Sequence, residues 1–165
     1  MNFSWTFGDN WPNNGEIDII EGVHIQSFNN MALHTSAGCM ISGAGHTGTT
    51  ITKNCDVNAP GQDANVGCAV HDYNAQSYGA GWNGGGGGVY AMEWTSGHIK
   101  VWWWPRHAVP PDALGKTPEP YGWGPPAAMF RGDCVINDKF REHKIVFDIT
   151  FCGDWAGNVW GQSGW

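Results

Sequence analysis

Glycine and proline recur so often along the chain that few stretches are free to form a long helix. The 165 residues include 25 Gly and 9 Pro, and helical periodicity is scarce between them. The intervening windows carry alternating or β-branched residues, which is the pattern of β-strands. The strands we predict are residues 2–6, 16–20, 31–36, 88–95, 98–104 and 143–151. An all-β fold follows, and a chain of this length has room for one domain, 1–165.

Two of the predicted strands form a β-hairpin. The segments Val89-Tyr-Ala-Met-Glu-Trp94 and Ile99-Lys-Val-Trp-Trp-Trp104 flank the turn Ser96-Gly-His98. Because side chains alternate along a strand, the three consecutive tryptophans cannot all face one side, and at least one must be in the core. Outside the strands, residues 37–87 are predicted as long loops held by cross-links, and residues 105–126, with seven prolines, as a second irregular segment.

The charge of the chain argues against two classes of partner. The formal net charge is −7, with only 8 Lys plus Arg, so the sequence lacks the basic residues that neutralise phosphates. We therefore expect no nucleic-acid partner and no binding to anionic membranes. No window approaches 18 consecutive apolar residues, and Met1-Asn-Phe-Ser-Trp5 lacks the charged and apolar regions of a signal peptide.

Five cysteines, at positions 39, 55, 68, 134 and 152, indicate structural disulfides. Their spacing lacks the close Cys-x-x-Cys pairs of zinc or redox sites, so an oxidising compartment is the better interpretation. The number is odd, which leaves at least one thiol free or without its partner, and the pairing stays open. The seven histidines show no paired-ligand spacing, so we expect no catalytic metal.

The run Gly15-Glu-Ile-Asp-Ile-Ile-Glu-Gly22 places three carboxylates within six residues. If the run is a strand, Glu16 and Asp18 share a face because they differ by two, whereas Glu21 has the opposite parity. One β-bulge between Asp18 and Glu21 returns Glu21 to the shared face, and bulges are common beside active sites. The spacing therefore predicts a bulged strand with three acids on one side.

Three carboxyl groups on one face can supply both a general acid and a nucleophile for one reaction. With the bulge, the side chains of Glu16 and Glu21 can lean to within the roughly 5–5.5 Å of a retaining glycosidase. Asp18 between them is expected to hydrogen-bond to Glu16 and to prevent simultaneous ionisation, which raises the pKa of the group that serves as acid. The alternative is a solvated acidic strand edge. Alternation with isoleucines and a charged fraction of only 14% argue against it.

The segment Asn10-Trp-Pro-Asn-Asn-Gly-Glu-Ile-Asp-Ile-Ile-Glu-Gly22 resembles the signature of glycoside hydrolase family 16 in its bulged form. The resemblance is strongest to the fungal endo-1,3(4)-β-glucanases, or laminarinases. Four further matches follow in the order of that family: Leu33-His-Thr-Ser-Ala-Gly-Cys39, Gly88-Val-Tyr-Ala-Met-Glu-Trp94, Trp104-Pro-Arg106 and Phe151-Cys-Gly-Asp-Trp-Ala-Gly157. The five matches are distributed in order over most of the length of the chain.

The resemblance implies a jelly-roll β-sandwich of the concanavalin A-like type, with two antiparallel sheets curved around a cleft. In members of the family, strands precede the position of Trp5 and others follow that of Trp160. We therefore expect a partial catalytic domain that is incomplete at both ends. On the same grounds we expect a secreted monomer whose signal peptide belongs to a missing N-terminal part.

The implied reaction is endo-hydrolysis of β-1,3 or mixed β-1,3/1,4-glucan, such as laminarin or lichenan, with retention of configuration. The family pattern makes Glu16 the nucleophile, Asp18 its helper and Glu21 the acid/base. No cofactor is required for this chemistry. A structural calcium is an expectation from the family, and the sequence places no ligands for it.

The resemblance also implies substrate-binding residues. Trp5, Trp11 and Trp155 are expected in the cleft, where flat pyranose faces stack on indoles. His34 is expected to contact sugar near the cleavage point. A core position competes with the cleft for each tryptophan, and a structural role competes for the histidine.

Two other functions stay open. A non-catalytic β-glucan-binding protein on the same fold is one, although the presence of all three acids argues against it. A transglycosylase is the other, and it depends on how well water competes for the covalent intermediate. The expected partner is a β-glucan polysaccharide in each case.

Overall fold

The computed structural model describes residues 3–149 and 153–162, and β-strands form most of the regular structure. The strands are β1 Phe3–Gly8, β2 Glu16–Glu21, β3 Asn29–His34, β4 Cys39–Ile41, β5 Thr49–Thr50, β6 Cys68–Asp72, β7 Gly88–Trp94, β8 Ile99–Pro105, β9 Ala128–Phe130, β10 Gly132–Cys134 and β11 His143–Asp148. The helices are α1 Gly79–Gly84, α2 Ile136–Lys139 and α3 Asp154–Asn158, with 3-10 turns at Arg106–Ala108, Pro111–Leu114, Pro120–Gly122 and Trp160–Gln162. In this part of the chain, no helix has the length and hydropathy needed to cross a membrane.

All six predicted strands are present in the structure. Residue 2 of the first, and residues 150 and 151 of the last, lie outside the described residues. Strand β3 begins at Asn29, two residues earlier than predicted, because its pairing with β6 already starts there. The predicted hairpin is confirmed, since β7 and β8 are antiparallel with Trp94 opposite Ile99.

The prediction of long loops over residues 37–87 was wrong in part, because β4, β5, β6 and α1 lie there. Strand β6 is flanked by β3 on one side and β5 on the other. Its first three residues are all buried, so it lacks the alternation of polar and apolar residues that marks a half-exposed strand. The prediction for residues 105–126 is confirmed, since this segment contains short 3-10 turns after the end of β8.

The strands form antiparallel sheets that pack around one core, as the all-β prediction requires. A six-stranded sheet has the order β11-β1-β2-β3-β6-β5, a three-stranded sheet the order β7-β8-β9, and β4 pairs with β10. Ile17, Leu33 and Val70 of the larger sheet are fully buried with Val101 and Phe130 of the smaller one. Because neighbours on a strand point to opposite sides, the burial of Ile17 places the adjacent acids on the other face.

The tryptophan run of β8 divides between the two faces of its strand. Trp102 is buried, donates its indole N–H to Gly124 O at 3.0 Å, and meets Trp123 edge to face. Trp104 also contacts Trp123, whereas Trp103 points the other way and donates to Asp72. The prediction that at least one of the three is core is confirmed.

Two disulfides connect the strands, which confirms the structural role predicted for the cysteines. One joins Cys39 of β4 to Cys134 of β10, which are register partners, and the other joins Cys55 to Cys68 of β6. Cys152 lies outside the described residues. The pairing that the sequence left open follows from the fold, because only the tertiary structure brings residues 39 and 134 together.

One side of the sandwich is open between the two sheets. A cavity of about 640 Å³ there is lined by apolar side chains of both sheets, among them Ile19, Met92 and Trp94. Ile145 and Phe147 of the edge strand β11 also line it and are 70% and 78% exposed. An edge strand with exposed apolar residues is a template for further pairing, so the sandwich is least closed on this side.

The two disulfides close loops of very different length, which predicts unequal contributions to stability. Cys39 and Cys134 are 95 residues apart, whereas Cys55 and Cys68 are 13 apart. Because a cross-link restricts the unfolded chain, the longer loop is expected to add about 2 kcal/mol more to the free energy of unfolding. Urea unfolding of Cys39→Ala/Cys134→Ala and Cys55→Ala/Cys68→Ala measures the difference. A larger loss for the short loop would contradict this expectation.

Candidate active site

The predicted β-bulge is present in β2. Opposite β3, Asp18 pairs with Ala32 and Glu21 with Asn30, so three steps along β2 match two along β3. The extra residue reverses the parity of the strand beyond Asp18. As a result Glu16, Asp18 and Glu21 all line one pocket of about 200 Å³.

A buried side chain holds the backbone of the bulge. Asn29, the first residue of β3, has no exposed surface. Its amide donates to Ile19 O at 2.8 Å, and its side-chain carbonyl accepts from Glu21 N–H at 3.0 Å. The two bonds bind backbone groups on both sides of the extra residue, so Asn29 fixes the direction in which Glu21 leaves the strand. Nothing in the local sequence distinguishes it from the neighbouring Asn30.

The glycines at the two ends of the acidic run permit close approach of other segments. Gly15 has a φ of +74°, and a Cβ there would lie 2.5 Å from Lys139 O. A Cβ at Gly22 would lie 2.6 Å from the ring of Tyr78. A larger residue at either position would displace β2, and the acids with it.

Glu16 is held by Trp11, which the resemblance placed in the cleft. The indole N–H of Trp11 donates to Glu16 Oε2 at 2.6 Å, and the tryptophan is 43% exposed. Burial, and next the charge of Asp18, raises the pKa of Glu16 to about 7. The hydrogen bond from Trp11 acts in the opposite direction, since it favours the ionised carboxyl.

Asp18 is 3% exposed and lies against His34, the register partner of Glu16. His34 Nε2 is 3.1 Å from Asp18 Oδ2, an ion-pair distance outside hydrogen-bond geometry. Burial raises the pKa of Asp18, whereas hydrogen bonding with Glu16 lowers it. His34 is 7% exposed, and the contact that the structure shows for it is the one with Asp18. Its contact with sugar stays a prediction.

Glu21 receives a hydrogen bond from the strand beside it. Asn30 Nδ2 donates to Glu21 Oε2 at 2.8 Å. Burial raises the pKa of Glu21, and the charge of Asp18 raises it further. Because three carboxyls with raised pKa values share one pocket, they do not all ionise near neutrality. The approach of Glu16 and Glu21 to about 5–5.5 Å stays a prediction.

Two of the predicted tryptophans line the pocket together with the acids. Trp5 and Trp155 are both there, and Trp5 stacks on Phe7 at a centroid distance of 5.0 Å. The structure therefore brings together Trp5, Trp155 and the three acids, and it places Trp11 on Glu16. Phe3 and Asp148, which the sequence did not single out, also line the pocket.

One group of three side chains among residues 3–149 and 153–162 has the spacing of metal ligands. Glu16, Asp18 and His34 bring one ligand atom each to within 4.8 Å of one another. Calcium takes six to eight oxygen ligands, so a set that includes an imidazole nitrogen does not fit it. The structural calcium therefore stays a prediction without a placed site.

Comparison with known proteins identifies relatives of this chain. A family model described as an XgeA-like, catalytic GH16 domain matches residues 3–165. An endo-1,3(4)-beta-glucanase of Arthroderma benhamiae is 45% identical over 159 residues, which are 94% of this chain and 35% of that protein. An elongating GH family 16 beta-1,3-glucosyltransferase is 48% identical with a TM-score of 0.89, over 98% of this chain and 53% of that one. Laminarinase 16A from Phanerochaete chrysosporium is 43% identical with a TM-score of 0.90, over 99% of this chain and 57% of that one.

The fold and its carboxylate face define the class of β-sandwich glycoside hydrolases. Within that class, the chain belongs to glycoside hydrolase family 16, as an XgeA-like catalytic domain. The jelly-roll fold expected from the sequence is shared with both solved relatives. The chain spans about a third of the curated relative and little more than half of each solved one.

Glu16→Gln is expected to stabilise the protein in alkaline but not in acidic solution. Burial raises the pKa of Glu16 from 4.5 to about 7, so folding favours the protonated carboxyl. The penalty for burying the charge is complete above pH 7, declines as the pH falls, and vanishes below pH 4.5. We expect a gain on the order of 2 kcal/mol in the free energy of unfolding at about pH 8, and none at about pH 4, by urea unfolding.

Glu119→Gln is the matched control, because it removes an exposed carboxyl in the irregular segment. Its free energy of unfolding should change by the same small amount at both pH values. An equal gain in the two variants, or a gain for Glu16→Gln in acid, would rule out the buried charge as the cause.

Proposed function

We propose that this protein hydrolyses β-1,3 or mixed β-1,3/1,4-glucan at internal bonds, with retention of the anomeric configuration. The observation that carries the proposal is the bulged strand β2, which presents Glu16 and Glu21 to one pocket with Asp18 between them. Retaining hydrolysis needs two carboxyls beside the glycosidic bond, one as nucleophile and one as acid/base.

Glu21 acts first as an acid. Its raised pKa keeps a proton on the carboxyl near neutrality. Glu21 donates this proton to the leaving oxygen while Glu16 attacks the anomeric carbon, and the glycosidic bond breaks as the bond to Glu16 forms. Ionised Glu21 then takes a proton from the water that releases the sugar and restores Glu16.

Glu16 must be ionised in order to attack. The indole N–H of Trp11 favours that state, and so does the positive charge of His34 when it is protonated. The hydrogen bond between Asp18 and Glu16 acts the other way, since it lowers the pKa of Asp18 and raises that of Glu16. His34 keeps Asp18 in place from the neighbouring strand.

A neutral polysaccharide suits the surroundings of the acids. Trp5 and Trp155 offer indole surface in the same pocket, and pyranose rings stack on such surfaces. The Arthroderma relative is named an endo-1,3(4)-beta-glucanase, and the Phanerochaete laminarinase structure holds β-glucans in its donor and acceptor sites. These relatives support β-glucan as the substrate of this chain.

The proposal includes an extracellular location and a monomeric state. The two disulfides support the location, because such cross-links persist in oxidising compartments. Sedimentation of the native protein tests the monomer, and its recovery from culture medium tests secretion.

Transglycosylation, the transfer of the glycosyl group to another sugar instead of water, is the second candidate function. One solved relative, 48% identical, is a beta-1,3-glucosyltransferase that elongates its substrate. The same glycosyl-enzyme serves both reactions, and the acceptor that reaches it decides the product. Incubation with laminaripentaose separates the two, since transfer gives oligosaccharides longer than the substrate and hydrolysis gives only shorter ones.

Glu16→Gln and Glu21→Gln are expected to lower the release of reducing sugar from laminarin by at least about 10³-fold each, because each removes an essential group. In the unaltered protein, proton NMR should show the β-anomer as the first product. An α-anomer would contradict retention. Binding of laminarin without any release would favour the glucan-binding alternative over hydrolysis.

Asn30→Ala is expected to shift the alkaline limb of the pH profile upward. The hydrogen bond from Asn30 favours ionised Glu21, so its loss raises the pKa of that acid further. Glu21 then stays protonated to higher pH, and the alkaline limb of kcat/KM on laminarin should rise by about 0.5–1 pH unit. Asn58→Ala, at an exposed position, is the control. A downward shift would show that Asn30 does not act through Glu21.

A further inference from the structure

We propose that Phe28, His71 and Tyr73 form a second sugar-binding surface of the cleft, on the side of the acids opposite to Trp5. We call these three residues the aromatic platform. The proposal rests on the proposed function for its ligand, a β-glucan chain, and it assigns to the platform the glucosyl units that lie beyond those at the cleaved bond.

The register of the strands places the aromatic platform on the face that carries the acids. Asn30 is on that face, because its amide binds Glu21 Oε2. His71 is the register partner of Asn30 on β6, and such partners point to the same side. Phe28 lies two residues before Asn30 and Tyr73 two residues after His71, so both have the same parity.

The three rings of the platform contact one another. The ring centroids of Phe28 are 4.9 Å from those of His71 and of Tyr73, and the latter two are 5.5 Å apart. The Tyr73 hydroxyl is 3.1 Å from His71 Nδ1. Tyr73 is nevertheless 58% exposed. An aromatic group that is fixed by its own contacts and open to solvent offers flat apolar surface at little cost in conformational entropy.

Strand spacing sets the distance from the acids. Neighbouring strands are about 4.8 Å apart, and β6 is two strands from β2, so the platform is about 10 Å from the acids across the sheet. Trp5 lies one strand from β2 in the opposite direction, as the register partner of Asp18. A glucan that crosses the strands therefore meets Trp5, the acids and the platform in turn.

A groove joins the platform to the pocket of the acids. Phe28 lines this groove, which has a volume of about 420 Å³. Val23 and Trp155 line both the groove and the pocket, so the two are continuous. Gln162 supplies an amide to the same groove. Burial lowers the pKa of His71, so its imidazole is neutral at neutral pH and suits an uncharged sugar.

Tyr73→Ala and Phe28→Ala in the native protein test the platform through the length of the substrate. We expect kcat/KM on laminarin and long laminari-oligosaccharides to fall about 3–10-fold, as for loss of one aromatic contact. The shortest oligosaccharide that is cleaved should change less than about 2-fold, since it does not reach the platform. Equal losses at every length would overturn the proposal, as would no loss at any length.

Two further variants control for folding and for the hydroxyl. Tyr121→Ala removes an aromatic ring that is fully exposed in the irregular segment, and it should leave all substrates unchanged. Tyr73→Phe keeps the ring and should restore the unaltered dependence on substrate length. A thermal melt of each variant shows whether it is folded before its kinetics are compared.

Binding to a protein that cannot turn over separates this proposal from the hydrolase function. On the Glu16→Gln background, Tyr73→Ala should weaken binding of long laminari-oligosaccharides about 3–10-fold in calorimetry. If the unaltered protein does not cleave laminarin but this difference in affinity is found, the hydrolase proposal fails and the platform stands. If laminarin is cleaved and affinity is unchanged, the platform fails and the hydrolase proposal stands.

Discussion

The hydrogen bonds of Asn29 hold the feature on which the site depends. This buried side chain binds Ile19 O and Glu21 N–H on both sides of the extra residue in β2. Its own N–H donates to Ser77 Oγ, and the Ser77 hydroxyl donates to Asp72 O, so the bulge is tied through β3 to β6. Without the bulge, Glu21 would have the parity of the buried Ile17 and face the core. One amide therefore decides whether the third acid reaches the pocket.

Burial of the three acids lowers the stability of the fold, and the same burial gives the acids their reactivity. Removal from water raises the pKa of each carboxyl, and the charge of Asp18 raises the pKa of both glutamates further. The contacts of Trp11 with Glu16, His34 with Asp18 and Asn30 with Glu21 each come from outside β2. These contacts favour the ionised carboxyls, but they offset only part of the rise in pKa that burial causes. The cluster therefore keeps at least one proton near neutrality. A reaction that needs an acid and a nucleophile together requires this mixed state.

The opposite face of the same strand explains why the acids stay in place. Ile17 is fully buried and pairs with Leu33, which in turn pairs with Cys68 of the Cys55–Cys68 disulfide. A rigid, cross-linked core thus supports the strand whose outer face carries charge. The sandwich is less complete toward β11, where the cavity between the sheets reaches the surface. The Cys55–Cys68 disulfide reaches the sheet at β6, on the other side of β2 from β11.

The sequence by itself determined the features that depend on local spacing. Residues 16, 18 and 21 with interleaved isoleucines specified a bulged strand, and the structure shows the bulge between Asp18 and Glu21. The hairpin of β7 and β8, and the division of the three tryptophans between the two faces of β8, also depend only on residues that are close in sequence. Strand β6 escaped prediction, because a strand buried on both sides loses the alternation that marks it.

Only the tertiary structure decided which distant residues meet. The partners of the acids, the pairing of Cys39 with Cys134, and the grouping of Phe28 with His71 and Tyr73 depend on which strands are neighbours. Side-chain periodicity is a property of a few consecutive residues and can be read along the chain. The order of strands in a sheet follows from packing of the whole core, and no short stretch of sequence contains it.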